Sequence, residues 1–155
     1  IIDWDYHHGN STEFFFYDDP SVLFFSTHDQ FAYPGTGSPE RKGSGPGFGY
    51  NINVHLPCGA NDEDIIEKFT KVLIPAAKKF EPDFIIISAG FDSRKDDLLG
   101  CFKISDKGFF LLTNIVLKIA EEYCSGRLIS VLEGGYNLEG NAKATISHIK
   151  ALSQF

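Results

Sequence analysis

The sequence predicts an α/β fold, a three-layer arrangement in which a mostly parallel sheet carries helices on both faces. Three observations predict it. Apolar runs of strand length, at Ile1-Ile2, Val22 to Ser26, Phe84 to Ser88 and Leu128 to Leu132, alternate with longer stretches of helical apolar spacing. That alternation implies right-handed βαβ units, which lay successive strands side by side and parallel. Polar residues then gather where the runs end, with Asp3, Asp5 and His7 after the first and Asp92 after the third. In open α/β sheets the carboxyl ends of strands are where ligands collect. With 155 residues and 43% apolar content the chain can bury a core of single-domain size, so residues 1–155 read as one domain.

Taken in order, Ile1 and Ile2 open a short buried strand that runs out into a turn at Gly9. A helix is predicted over Ser11 to Tyr17, capped by Asn10 or Ser11 and stopped by Asp18-Asp19-Pro20, with Phe14, Phe15 and Phe16 packed in the core. Val22 to Ser26 is too apolar on both faces to be an edge strand. Residues 29 to 49, rich in Gly and Pro, form one long loop, and loops of that length in a compact domain are more often functional than idle. Tyr50 to Val54 alternates as a strand. A helix capped by Asn61 or Asp62 carries Ile65, Phe69, Val72, Ala76 and Phe80 on one side and should kink at Pro75, which has no N–H to donate. After the strand at Phe84 to Ser88 and a polar loop from Asp92 to Leu99, Ser105 caps a helix with the stripe Phe109, Leu112, Val116, Ile119 and Tyr123. Following the last strand, Asn137 caps a final helix whose Leu138, Ala142, Ile146, Ile149 and Leu152 are expected to face inward.

Composition removes some function classes. A formal charge of -7 with no Lys/Arg cluster gives no electrostatic footprint for a nucleic-acid backbone, so direct nucleic-acid binding is not expected. Cys58, Cys101 and Cys124 have no metal-ligand spacing and read as reduced thiols of a cytosolic protein. No apolar stretch reaches the roughly 18 residues of a membrane span, and no signal-peptide pattern opens the chain. The expectation is an intracellular, cytoplasmic protein, nuclear if eukaryotic, with no membrane partner. Methionine is absent and the chain opens inside a strand, which reads as a fragment with an incomplete sheet.

The chemistry-bearing residues lie at the strand ends. Side chains alternate along a strand, so Asp3, Asp5 and His7 share a face, and a carboxylate and an imidazole two residues apart can grip one ion. Asp92 ends another run and can converge on them. Two carboxylate oxygens and an imidazole nitrogen leave a tetrahedral ion one open position, the arrangement of a catalytic zinc; ferrous iron suits the same set. Such an ion polarises an amide carbonyl and activates water, so the reaction class is metal-assisted amide hydrolysis.

The runs IIDWDYHHGN, YPGTG, ISAGFDSRKDDLLG and VLEGGYNLEG, in this order over nearly the whole chain, resemble the zinc-dependent histone deacetylase and acetylpolyamine amidohydrolase superfamily, closest to its class II-like and bacterial members. The resemblance implies an arginase/deacetylase-like fold and identifies the chain as the carboxy-terminal part of a catalytic domain. It implies zinc on Asp5, His7 and Asp92, and Tyr136 as hydrogen-bond donor to the substrate carbonyl. Asp3 and Asn10 would orient a tandem pair of histidines that the chain does not contain. A potassium ion would sit on backbone carbonyls of Asp3, Asp5, His7 and Thr27 with Ser26, and Tyr33, His7, Leu99, Gly134 and Gly135 would line the acyl-lysine tunnel. The implied substrates are acetylated lysine in peptides or proteins, or acetylated polyamines. His8, His28, His55 and His148 are left as structural or surface residues.

Two other readings compete. A truncated or degenerate relative would bind acyl-lysine or a protein partner without hydrolysing it, and without the tandem pair the chain alone is expected to be inactive. An arginase-like ureohydrolase is disfavoured, because it needs bridging carboxylates for a second ion where this chain has Arg94.

Overall fold

Five strands, β1 (Ile2–Asp3), β2 (Phe24–His28), β3 (Asn51–His55), β4 (Ile85–Ala89) and β5 (Leu128–Leu132), form one all-parallel sheet in the order β3-β2-β1-β4-β5. The computed structural model describes residues 1–154. Although β1 has two residues, it lies at the centre, with Ile2 opposite Phe25 on one side and Ile87 on the other. The observed strands begin one to two residues later than predicted at the first three positions and at β4, an ordinary boundary error for apolar runs flanked by turns.

One face of the sheet carries the core. Ile2, Trp4, Phe25, Ile85, Ile87 and Ala89 are buried against helices α2 (Asp62–Lys68), α3 (Ile74–Phe80), α4 (Asp106–Cys124) and α5 (Leu138–Leu152). The other face is polar and buried at β2 and β3, where Ser26, His28, Asn51 and Asn53 lie under α1 (Asn10–Phe16) and the 29–49 loop. Over β4 and β5 this second face is less filled, with Ile129 and Val131 about half exposed.

Helix starts follow the predicted caps at three places. Asn61 forms a capping box with Asp64, Ser105 accepts from the Gly108 amide, and Asn137 accepts from the Gly140 amide. At α1 the expectation fails: the cap residue is Gly9, with no side-chain cap bond. Phe14 and Phe15 are 77% and 71% exposed, so the aromatic run is not core; Glu13 is the buried residue of that helix.

The expected kink at Pro75 takes the form of a π-helical turn over Phe69–Leu73 between α2 and α3. A π turn inserts one extra residue, so the buried stripe beyond it moves from the predicted Val72 and Ala76 to Leu73 and Ala77. The face of α5 also differs. Leu138, Ile146 and Ile149 are exposed, and the buried residues are Gly140, Ala144, His148 and Ala151. Small residues let α5 approach closely, and His148 is buried because both ring nitrogens are bonded, Nδ1 with Thr113 Oγ1 at 2.7 Å and Nε2 with Ser130 Oγ at 2.9 Å. Burial lowers its pKa to about 4, so it is a neutral core residue.

The structure joins Cys58 to Cys101 by a disulfide, with Cα atoms 5.2 Å apart, which corrects the expectation of three reduced thiols. Backbone pairing brings them together: the Gly59 amide donates to the Cys101 carbonyl and the Lys103 amide to the Ala60 carbonyl. Cys124 is free and buried. No helix among the described residues is long and apolar enough to cross a membrane.

Candidate metal centre

Beyond β1 the chain turns through two local side-chain bonds. Asp3 Oδ1 accepts from the Asp5 amide at 3.0 Å and Asp5 Oδ1 from the His7 amide at 2.8 Å, so each carboxylate fixes the backbone two residues on. Trp4 and Tyr6 point into the core, and Asp5 and His7 are thereby left facing a cleft. Asp92 arrives from the end of β4, fully buried, with Oδ1 held by the Tyr6 amide at 2.7 Å.

The ligand atoms of Asp5, His7 and Asp92 all lie within 4.8 Å of one another, and no other such group of three occurs among the described residues. His7 Nδ1 stands 2.8 Å from Asp92 Oδ2 and 3.3 Å from Asp5 Oδ1, so Nδ1 is the ring atom turned to the centre. The glycines of the loop after β5 make this convergence sterically feasible. A Cβ on Gly134 would stand 2.7 Å from both Asp5 Oδ2 and Asp92 Oδ2, and the Gly134 amide donates to Asp5 Oδ2 at 3.0 Å.

The electrostatics describe a cation site. Hydrogen bonds with Asp5 and Asp92 push His7 up to about 10, so in the absence of an ion a proton sits between the carboxylates. Burial, with Asp5 beside it, pushes Asp92 up to about 6; Asp5 also feels burial, but its bonds from His7 outweigh it and its carboxyl lies below the ordinary value. The oxygen, oxygen, nitrogen donor set fits zinc or ferrous iron, and a divalent ion would take the place of the shared proton.

Around this centre lies a cleft of about 780 Å³ that Asp3, Asn10, Tyr33, Leu99, Gly134 and Tyr136 help to line. The predicted tunnel residues therefore come together except Gly135, which stands outside the lining. The Tyr33 and Tyr136 rings each lie edge-on at 6.4 Å from the His7 ring. Burial and the nearby Asp92, Asp5 and Asp97 carboxylates raise the Tyr136 phenol, which keeps its proton available for donation. Asp3 is buried and raised well above the carboxylate range, first by burial and then by Asp5, and no imidazole touches it among the described residues. Asn10 is exposed at the mouth. Ser26 and Thr27 are buried beside β1, with Thr27 Oγ1 at 3.5 Å from the Asp3 carbonyl.

Arg94 is not at the centre. Its guanidinium binds Asp106 at 2.7 and 3.2 Å, so its repulsion of a second ion has no geometric basis; the single three-ligand group is what weighs against a two-metal site. Two bracing carboxylates go unforeseen in the sequence, because their partners are distant in the chain. Glu13 ties the 29–49 loop to β3, binding Arg41 of the loop and Asn51 and Asn53 of the strand, and Asp97 bonds to the loop that bears Tyr136.

Fold and site together define an α/β protein with an acidic, imidazole-containing candidate metal centre at the carboxyl ends of central parallel strands. The histone deacetylase domain model matches residues 1–152. A probable deacetylase of Archaeoglobus fulgidus is 44% identical over 90% of this chain, and histone deacetylase 15 of Arabidopsis thaliana is 42% identical over 98% of it. The chain spans 39% and 28% of the length of those two relatives. Among solved structures, the HDA15 HD domain superposes with a TM-score of 0.91 at 41% identity, covering 97% of this chain and 43% of that one. The histone deacetylase Clr3 gives the same TM-score at 37% identity. The chain belongs to the histone deacetylase family.

Proposed function

We propose that this chain carries the metal-binding part of a deacetylase that removes acetyl or related acyl groups from lysine side chains or similar amines. The observation that carries the reading is the convergence of Asp5, His7 and Asp92 on one point, with Tyr136 facing it across the cleft. Asp5, His7 and Asp92 would hold zinc, or ferrous iron, and the ion would supply Lewis-acid polarisation of the amide carbonyl and an acidified water. Tyr136 donates a hydrogen bond to the carbonyl oxygen as charge develops on it. Asp3 and Asn10 orient imidazoles contributed from outside the described residues; Asp3 is buried beside the cleft and accepts only the Asp5 amide among the described residues, which leaves room for an imidazole. Backbone carbonyls of Asp3, Asp5, His7 and Thr27, with Ser26, hold a potassium ion. Tyr33, His7, Leu99, Gly134 and Gly135 guide the acyl chain, and the apolar Leu99 at the rim favours acetyl-lysine in peptides over polyamines. The proposed compartment is the cytoplasm.

That no imidazole meets Asp3 among the described residues also supports a second reading, a truncated or degenerate relative that binds acyl-lysine or a protein partner without turning substrate over. Expression of residues 1–155 beside the full-length protein, both loaded with zinc and assayed on an acetyl-lysine peptide, tests both. Turnover by the full-length protein and none by residues 1–155 is expected. Metal-dependent turnover by residues 1–155 near the full-length rate would place the base within this chain and overturn the assigned roles.

A further inference from the structure

Tyr136 follows two glycines, of which Gly134 donates its amide to Asp5 Oδ2 at 3.0 Å and Gly135, at a φ of +150° that favours glycine, accepts from Asn141 Nδ2 at 2.9 Å. The phenol makes no hydrogen bond among the described residues, and the residue is 44% exposed. Its place beside His7 must therefore come from its backbone.

That backbone is held from the loop between β4 and α4. Asp97 Oδ1 accepts from the Leu99 and Gly100 amides at 2.9 and 3.1 Å, closing its own turn. Its Oδ2 crosses to the other loop and accepts from the Tyr136 and Asn137 amides at 2.8 and 3.1 Å. Beside it the Asp96 carbonyl accepts from Asn137 Nδ2 at 2.8 Å, a second brace between the same segments. The loop that carries Asp97 starts at the ligand Asp92, so these bonds set the separation between metal ligand and phenol.

We propose that Asp97 is a positioning residue for Tyr136, its Oδ2 pinning the Tyr136 and Asn137 amides so that the phenol stands over the metal centre. The inference rests on the reading of Tyr136 as donor to the substrate carbonyl. Asp97→Asn isolates the contact: the amide oxygen can keep the local turn, while its NH₂ faces two N–H donors and cannot accept from them. Asp97→Ser does the same by length, because a hydroxyl can close the local turn but is too short to reach the second loop.

The test uses the full-length protein, both Asp97 variants, Tyr136→Phe and the combinations. Zinc stoichiometry and KM should stay near parental values while kcat falls by about 10- to 100-fold, the scale of an ångström of misplacement. Added to Tyr136→Phe, either Asp97 change should cost nothing further. Amide hydrogen exchange should quicken at Tyr136 and Asn137 and stay unchanged in β4 and α4. Losses that multiply, or protection at Tyr136 and Asn137 equal to the parent, would overturn the inference. So would loss of protection throughout β4 and α4 in both variants, which would make Asp97 a determinant of the fold. If the parent protein hydrolyses no acyl-amine, the functional reading fails, and the exchange data still decide whether Asp97 pins the loop.

Discussion

Two sets of carboxylates, Glu13 in one and Asp3, Asp5 and Asp92 in the other, meet opposite surroundings. Glu13 is fully answered: Arg41 Nε stands at 2.6 Å, Asn53 Nδ2 at 2.6 Å, Asn51 Nδ2 at 3.0 Å and His8 Nε2 at 3.4 Å. Burial pushes it up, but those bonds outweigh burial and bring it down to about 2. Asp5 and Asp92 share the His7 imidazole, none reaches Asp3 among the described residues, and burial drives Asp3 and Asp92 upward. A lone carboxylate paired with a guanidinium ties a loop to the sheet, whereas two carboxylates crowded on one imidazole form a donor set that could hold a cation.

The largest expected effect breaks the second set. Asp92→Ala in the full-length protein should remove the bound metal and at least about 10³-fold of turnover, because several kcal/mol of charge stabilisation go with the ion. Metal retained at parental stoichiometry would move the ligand set elsewhere. Next, Tyr136→Phe should lower kcat by roughly 10²-fold with metal content intact, since one donor is lost; unchanged kcat would return Tyr136 to packing. Glu13→Gln should leave metal affinity alone and cost about 2 kcal/mol in denaturant melts, the scale of lost charge-assisted bonds. Equal metal loss in that variant would erase the distinction between the two regions.

The smallest effect is the pH response, and its sign differs between the regions. Glu13 is lowered from 4.5 to about 2, so the unfolded chain binds the proton first. Its stabilisation is full above the unfolded value and is lost as pH falls from 4.5 through about 2. Asp92 in the metal-free protein is raised from 3.8 to about 6, so the folded state holds the extra proton and stability falls as pH rises across that window. Thermal melts of parent and Glu13→Gln should converge toward pH 2, and loading zinc should abolish the upper slope. A metal-free protein that gains stability from pH 4 to 6 would contradict the crowded-carboxylate description.

Much of this was legible in the residues. Alternation carried past the end of β1 puts Asp5 and His7 on one side, and an apolar run ending in Asp92 brings the third side chain of the candidate centre. What was not legible is long-range or adds a residue to a repeat. The π turn at 69–73 shifts a stripe by one position, which a fixed helical period cannot register. The α5 face was misjudged because Leu138 and Ile149 look more apolar than Ala144 and His148, while close packing selects for size and satisfied polarity. Cys58 and Cys101 are 43 positions apart with no motif between them. Asp97 lies inside a recognised run, yet its partners are 39 and 40 residues away.

The two-residue length of β1 at the centre of the sheet has a kinetic consequence. Within the sheet the β2 side is joined to the β4 side through that short strand, and His7 meets Asp92 across 85 residues of chain. Such a contact closes late, after the long intervening loop has paid its entropy. Until β4 docks, only Asp5 and His7 of the candidate centre are together, so an ion held by all three side chains would mark a chain in which β1 and β4 have paired. Zinc should then slow unfolding in stopped-flow traces and leave the refolding limb unmoved, making the ion a latch on a completed fold and not its nucleus.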